Sequence, residues 1–125
     1  MHAAFLEHVN VTVSDPDRTA KMLTDLFGWR ERWRGEAKNG GQSIHVGANT
    51  YYLAIYGRDG VKAGDDPGGV VGGLNHVGVV VDDLDEAERR VKKAGYKPHS
   101  HARYEPGRRF YFDDADGIEF EVVAY

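Results

Sequence analysis

Two histidines carry the chemistry most plainly, because each lies inside a copy of the same pattern. Glu7-His8-Val9-Asn10-Val11-Thr12-Val13-Ser14-Asp15 returns as Asn75-His76-Val77-Gly78-Val79-Val80-Val81-Asp82-Asp83. Each run alternates like a strand and is followed by a helix-like stretch ending in Gly plus an aromatic, Gly28-Trp29 and then Gly95-Tyr96. A chain built as two versions of one unit can bring equivalent histidines to one point, and imidazoles joined by carboxylates hold divalent first-row metals. The sequence has no cysteine, so a metal must be held by His, Asp, Glu or water, and no thiolate nucleophile is available.

Strand alternation assigns the remaining candidates to faces. Ile118, Phe120 and Val122 point to a core, which turns Glu119, Glu121 and Val123 to the other side, the side of His8 and His76 in their own strands. Two imidazoles and a carboxylate there leave coordination positions open, as a catalytic site needs, and suit iron, manganese, zinc, nickel or cobalt. By the same alternation Phe110 and Phe112 turn Tyr111 to the cleft, and Ile44 and Val46 turn His45 there. With an ordinary pKa near neutrality, His45 suits a general base, or a packing role. Asn10 shares the face of His8 and can donate a hydrogen bond to substrate. His99 and His101 fall in a polar segment, with His101 at the mouth of the site or solvated. Arg103, Arg108 and Arg109 surround the turn Tyr104-Glu105-Pro106-Gly107, where they either clamp a carboxylate or phosphonate or form a solvated hairpin turn.

The elements that must position these groups repeat in order. A strand at about 4–13, with Phe5, Val9, Val11 and Val13 toward the core, leads through Asp15-Pro16 into a helix carrying Ala20, Leu23 and Phe27 with Met22 and Leu26, up to Gly28. Strands follow at 29–33, 42–46 and 50–56. The Gly-rich stretch 58–73 reads as a linker. A second unit then gives a strand at 74–81, a helix at 85–94, and strands near 98–103, 108–113 and 118–124, the last two joined by the turn Asp113 to Gly117.

At 125 residues the chain has the length of one domain. A net charge of −4 with mixed signs supplies no basic stripe for nucleic acid, and no run of apolar residues is long enough to span a membrane. The expected partners are a small molecule and a second copy of the chain, in the cytoplasm.

These motifs resemble the vicinal oxygen chelate superfamily, which includes glyoxalase I, extradiol dioxygenases, fosfomycin resistance proteins and bleomycin resistance proteins. The resemblance rests on Leu6 to Asp15, Leu26-Phe27-Gly28-Trp29, Leu74-Asn75-His76-Val77-Gly78, and Asp114 to Val122. It implies an α+β fold: one domain, 1–125, of two tandem βαβββ modules, about 4–57 and 74–125, whose curved mixed sheet surrounds a metal-binding cleft. It also implies His8, His76 and Glu121 as metal ligands, while the family's fourth ligand position falls on Ala54, which cannot ligate. Glyoxalase I fills all four positions, so the three-ligand set is more similar to the extradiol and fosfomycin branches. There the matching tyrosine, Tyr111, orients substrate, and a histidine comparable to His45 serves as base.

The resemblance implies a divalent-metal enzyme, Fe2+ or Mn2+ ahead of Zn2+, Ni2+ or Co2+, acting on a small molecule that chelates the metal through vicinal oxygens. Ring-cleaving dioxygenase chemistry ranks first, then a lyase, isomerase or fosfomycin-type thiol transferase. The alternative from another class is a metal-free protein resembling the bleomycin resistance branch, with a ligand groove lined by Tyr51, Tyr52, Tyr56, Trp29, Trp33 and Tyr104. Family members commonly form homodimers, some with swapped modules.

Overall fold

The computed structural model of the chain describes residues 2–104 and 107–125. It divides into two compact units, one up to Lys62 and one from Ala63 on. The first runs β1 (His8–Thr12), α1 (Pro16–Phe27), β2 (Arg30–Glu36), β3 (Gln42–Gly47) and β4 (Tyr52–Gly57). The second runs β5 (Val77–Val80), α2 (Leu84–Lys93), β6 (His99–Tyr104), β7 (Gly107–Asp113) and β8 (Glu119–Ala124). Eight strands in two mixed sheets with two helices make the α+β fold read from the sequence.

Local chemistry explains the punctuation. Asp15 caps α1 by accepting the Arg18 N–H at 3.2 Å, with Pro16 in the first turn where its missing N–H costs nothing. The helix ends on Gly28 at φ 69°, a left-handed conformation that a side chain would strain. Asp83 caps α2 in the same way, accepting the Glu86 N–H at 3.0 Å. In the β7–β8 turn Asp114 accepts from the N–H groups of Asp116 and Ile118 at 2.8 and 2.9 Å, and Gly117 adopts φ 79°. Glu105 and Pro106, the centre of the other predicted turn, lie outside the described residues.

The sheet orders are β1-β4-β3-β2 and β5-β8-β7-β6. In each unit the first and last strands pair in parallel across the helical crossover, and the rest is antiparallel. One face of each sheet lies under its helix. Leu23 of α1 is fully buried together with Ile44, Val46 and Ile55, and Val91 of α2 with Phe110, Phe112, Phe120 and Val122. The residues between them on each strand point to the opposite face.

One sequence expectation fails here. Strand β1 starts at His8 rather than near residue 4, and Phe5 and Val9 are 78% and 41% exposed instead of joining the core. Strand β1 is the edge of its sheet and α1 packs on β3 and β4, so the predicted face is covered toward its end, at Val13, but among the described residues not at Phe5 and Val9. Strand β5, also an edge, has four residues where eight were expected, and Val80 is exposed.

Candidate functional site

In the second unit, ladder register lines up Gly78, Glu121, Tyr111 and His99 across all four strands, on the face away from α2. The Glu121 carboxylate is the centre of this row. Its Oε2 accepts the Tyr111 hydroxyl at 2.6 Å and an Arg109 guanidinium N–H at 3.0 Å, and its Oε1 lies 3.8 Å from His76 Nε2. The Tyr111 hydrogen bond, helped by Arg109 and His76 and opposed by burial, holds the Glu121 carboxyl below the usual carboxylate range. It is therefore ionised at neutral pH, with one oxygen occupied by donors and the other turned to His76.

His76 is itself oriented. Its Nδ1 lies 2.8 Å from the Asn75 side-chain oxygen, an acceptor, so Nδ1 carries a proton and Nε2 is the ring nitrogen turned to Glu121. Gly78 lies beside this carboxylate, where a Cβ would make an ordinary contact of 3.7 Å with Glu121 Oε1.

The first unit has the equivalent row, Asn10, Ala54, His45 and Trp33. Here aromatic rings replace charges. The His8 ring stacks on Tyr52 (4.8 Å between centroids, 9°), Tyr52 on His45 (4.4 Å, 23°), and His45 meets Trp33 at 4.9 Å, while the Arg32 guanidinium lies 4.7 Å from the Tyr52 ring centre. Burial lowers the His45 pKa, and the positive neighbours His8 and Arg32 push it the same way. His45 is thus neutral at pH 7 and able to take a proton. His8 Nδ1 lies 2.9 Å from Glu7 Oε1, which as a carboxylate only accepts, so Nδ1 carries a proton and Nε2 is the ring nitrogen left uncommitted.

Each unit therefore gathers part of the expected set. His8, Asn10 and His45 share one face of the first unit, and His76, Tyr111, Glu121 and Arg109 share one face of the second. Two expectations of substrate contact change character. His101 sits on the helix side, its Nε2 2.6 Å from Glu88 of α2 and its ring against core Phe110, because an irregularity in the β6–β7 ladder between His99 and Ala102 turns it there. Arg109 is 9% exposed and committed to Glu121, while Arg108 reaches Asp85 of α2 at 3.3 Å. Of the aromatic groove residues, Tyr56 is buried and donates to the Lys38 carbonyl at 2.7 Å.

Sequence reasoning missed Glu7 and Asn75. Neighbours on a strand point to opposite faces, which hides any contact between residues one apart. Both residues precede the regular ladder, since β1 begins at His8 and β5 at Val77, and so escape that rule. The signal available was their identical place, immediately before each histidine of the repeat. Sequence reasoning read His99 in a polar segment, Asp113 in a turn and Glu119 on the cleft side without joining them; the three offer ligand atoms within 4.8 Å of one another in the second unit.

Comparison with known proteins agrees with this layout. A domain of Frankia sp. EAN1pec named glyoxylase/bleomycin resistance protein/dioxygenase is 26% identical, with 98% of each chain covered and a TM-score of 0.82. A mutant of the genomically encoded fosfomycin resistance protein FosX from Listeria monocytogenes, solved with Mn(II) and a dihydroxypropylphosphonic acid, is 21% identical over 98% of this chain and 93% of that one, with a TM-score of 0.74. A mutant glyoxalase I from Zea mays is 22% identical over 93% of this chain and 43% of its own, with a TM-score of 0.77. No curated protein matches in sequence. Residues 5–122 match the model of one family, and the chain belongs to the Glyoxalase/Bleomycin resistance protein/Dioxygenase superfamily.

Proposed function

We propose that the chain is a divalent-metal-dependent enzyme acting on a small molecule that binds the metal through vicinal oxygens, with His8, His76 and Glu121 as the protein ligands. The observation that carries this is the orientation of the donors: both histidines have Nδ1 engaged by the preceding side chain, leaving Nε2 to coordinate, and Glu121 is an ionised carboxylate whose Oε2 is held by Tyr111 and Arg109 while Oε1 turns to His76. Two imidazoles and one carboxylate suit Fe2+ and Mn2+, and also Zn2+, Ni2+ and Co2+. Such a cation, when bound, supplies Lewis acidity and, as iron, access to dioxygen chemistry.

The chain's own groups supply the rest. Tyr111 and Arg109 fix Glu121 through Oε2, so its orientation does not depend on the cation. Neutral His45 accepts a proton from a substrate hydroxyl, and Asn10, on the same face, donates a hydrogen bond. The Tyr111 ring, between His76 and His99, orients the substrate edgewise. A proton-accepting histidine favours a substrate entering as a diol or catechol and losing a hydroxyl proton, the first step of extradiol-like ring cleavage. A lyase, isomerase or fosfomycin-type transferase on the same ligands is the second reading, favoured by the likeness to FosX. Against a phosphonate substrate, Arg109 is already held by Glu121.

A cytoplasmic homodimer, with exchanged units permitted by the strand-free stretch 58–73, completes the proposal. Exposed Phe5, Leu6 and Val9 near β1 give a second copy an apolar surface to cover.

Elemental analysis of the purified protein tests it. The expectation is that His76→Ala and Glu121→Ala each lose about one equivalent of metal per chain relative to the unsubstituted protein. No metal as purified, and none taken up on reconstitution, would overturn the enzyme and leave the ligand-binding alternative.

A further inference from the structure

The duplication provides an internal control for a cluster that the ligand set above does not use. His99 opens β6, Asp113 closes β7 and Glu119 opens β8, with Asp113 and Glu119 directly paired. At the equivalent places the first unit carries Trp33, Gly47 and Tyr52, with Gly47 and Tyr52 paired in the same way. The scaffold folds around those residues, so nothing in the architecture demands an imidazole and two carboxylates in the second unit.

Their arrangement is that of ligands awaiting a cation. One donor atom from each of the three lies within 4.8 Å of the others. His99 Nε2 is closed off from solvent and makes no hydrogen bond, although it lies 3.3 Å from Asp113 Oδ2. The other ring nitrogen, Nδ1, is engaged by the Ser100 hydroxyl at 2.8 Å, which fixes the ring with Nε2 toward the acids. Glu119 makes no hydrogen bond or ion pair among the described residues, and Arg109 on the same face is committed to Glu121. A solvent-closed nitrogen without a hydrogen bond is costly, and two carboxylates brought near it repel each other; a divalent ion drawn between the three, with the exposed Asp113 closing onto it, relieves both.

We propose that His99, Asp113 and Glu119 form a second divalent-cation site, contained within the second unit and separated from the Glu121 carboxylate by the Tyr111 ring. Its mixed nitrogen and oxygen donors select Zn2+ or Mn2+ over Mg2+ or Ca2+. It uses none of the residues proposed above as ligands and stands whether or not they bind metal.

The test titrates the full-length chain with MnCl2, reading free Mn2+ by electron paramagnetic resonance, and then adds ZnCl2 as a competitor that releases bound Mn2+. Glu121→Gln is expected to keep a site that Glu121→Gln/His99→Ala binds at least about tenfold more weakly. In the Glu121→Gln protein, substoichiometric Mn2+ should broaden the His99 imidazole resonances. Should His99→Ala fail to fold by circular dichroism, the nearly isosteric Asp113→Asn gives the same comparison. Equal affinity in the single and double variants, or sharp His99 resonances with Mn2+ bound, would overturn the inference. If His99→Ala lowers metal content while Glu121→Gln leaves it unchanged, this site stands and the enzyme proposal fails.

Discussion

The two units share one architecture, and their open faces have become chemically opposite. Register makes the comparison position by position: Asn10 answers to Gly78, Ala54 to Glu121, His45 to Tyr111 and Trp33 to His99. In the first unit a methyl group stands where the second carries a carboxylate, and a ladder of stacked rings occupies the remaining space. In the second, hydrogen bonds converge on one anion. The difference teaches that a duplicated sheet needs only its helix-side residues to fold. Leu53 and Ile55 do in one unit what Phe120 and Val122 do in the other, leaving the far face free to diverge.

Substitutions can break this asymmetry in order of severity. Glu121→Ala makes the second face like the first: metal affinity should fall by roughly 100-fold or more, beyond what outer partners cost. Because Arg109 is then left buried without its anion, stability should fall by about 3 kcal/mol in urea unfolding. Tyr111→Phe removes the strongest influence on the Glu121 carboxyl and should cost about 1.5 kcal/mol. The pH direction is fixed. A carboxyl with a depressed folded pKa contributes its stability above the unfolded value and loses it as pH falls through the folded one. In Tyr111→Phe the acid loss of stability and of metal should therefore begin at higher pH, visible in melting and binding profiles.

Smaller effects come from the residues before each histidine. Glu7→Ala and Asn75→Ala should each weaken metal binding by about tenfold in chelator competition, Glu7 more because a carboxylate holds Nδ1–H better than an amide. Smallest is His45→Gln. The folded His45 pKa lies below the unfolded one, so the unfolded chain binds more protons between the two values and stability rises with pH there. The variant should show a flatter Tm profile on the acid side of neutrality, and no change would place His45 in solvent.

Much of this was legible before any coordinates. Asp15 as a cap, Gly28 as a helix stop and the turn ending at Gly117 are local chemistry, readable residue by residue, whereas the matching cap at Asp83 was passed over. Alternation placed Tyr111 and His45 opposite the buried phenylalanines and aliphatics because both lie on inner strands, where a helix covers one side. It failed for Phe5 and Val9 because exposure of an edge strand depends on what covers it, which no period in the sequence encodes. His101 was misplaced for a related reason: an irregular ladder between His99 and Ala102 reverses the face count, and nothing in the local sequence announces it.

The pairing of β8 with β5 has a consequence in time. Strand β5 makes its ladder only with β8 among the described strands, while β6 and β7 form a hairpin from neighbouring sequence. Local pairing is fast, and a parallel pair separated by the whole crossover is slow. Topology therefore predicts that His76 and Glu121 meet at the most entropically demanding closure of their unit, and a cation gripping both would act as a latch on that closure. With such a cation bound, metal supply and the completion of folding would become one event in the life of the chain.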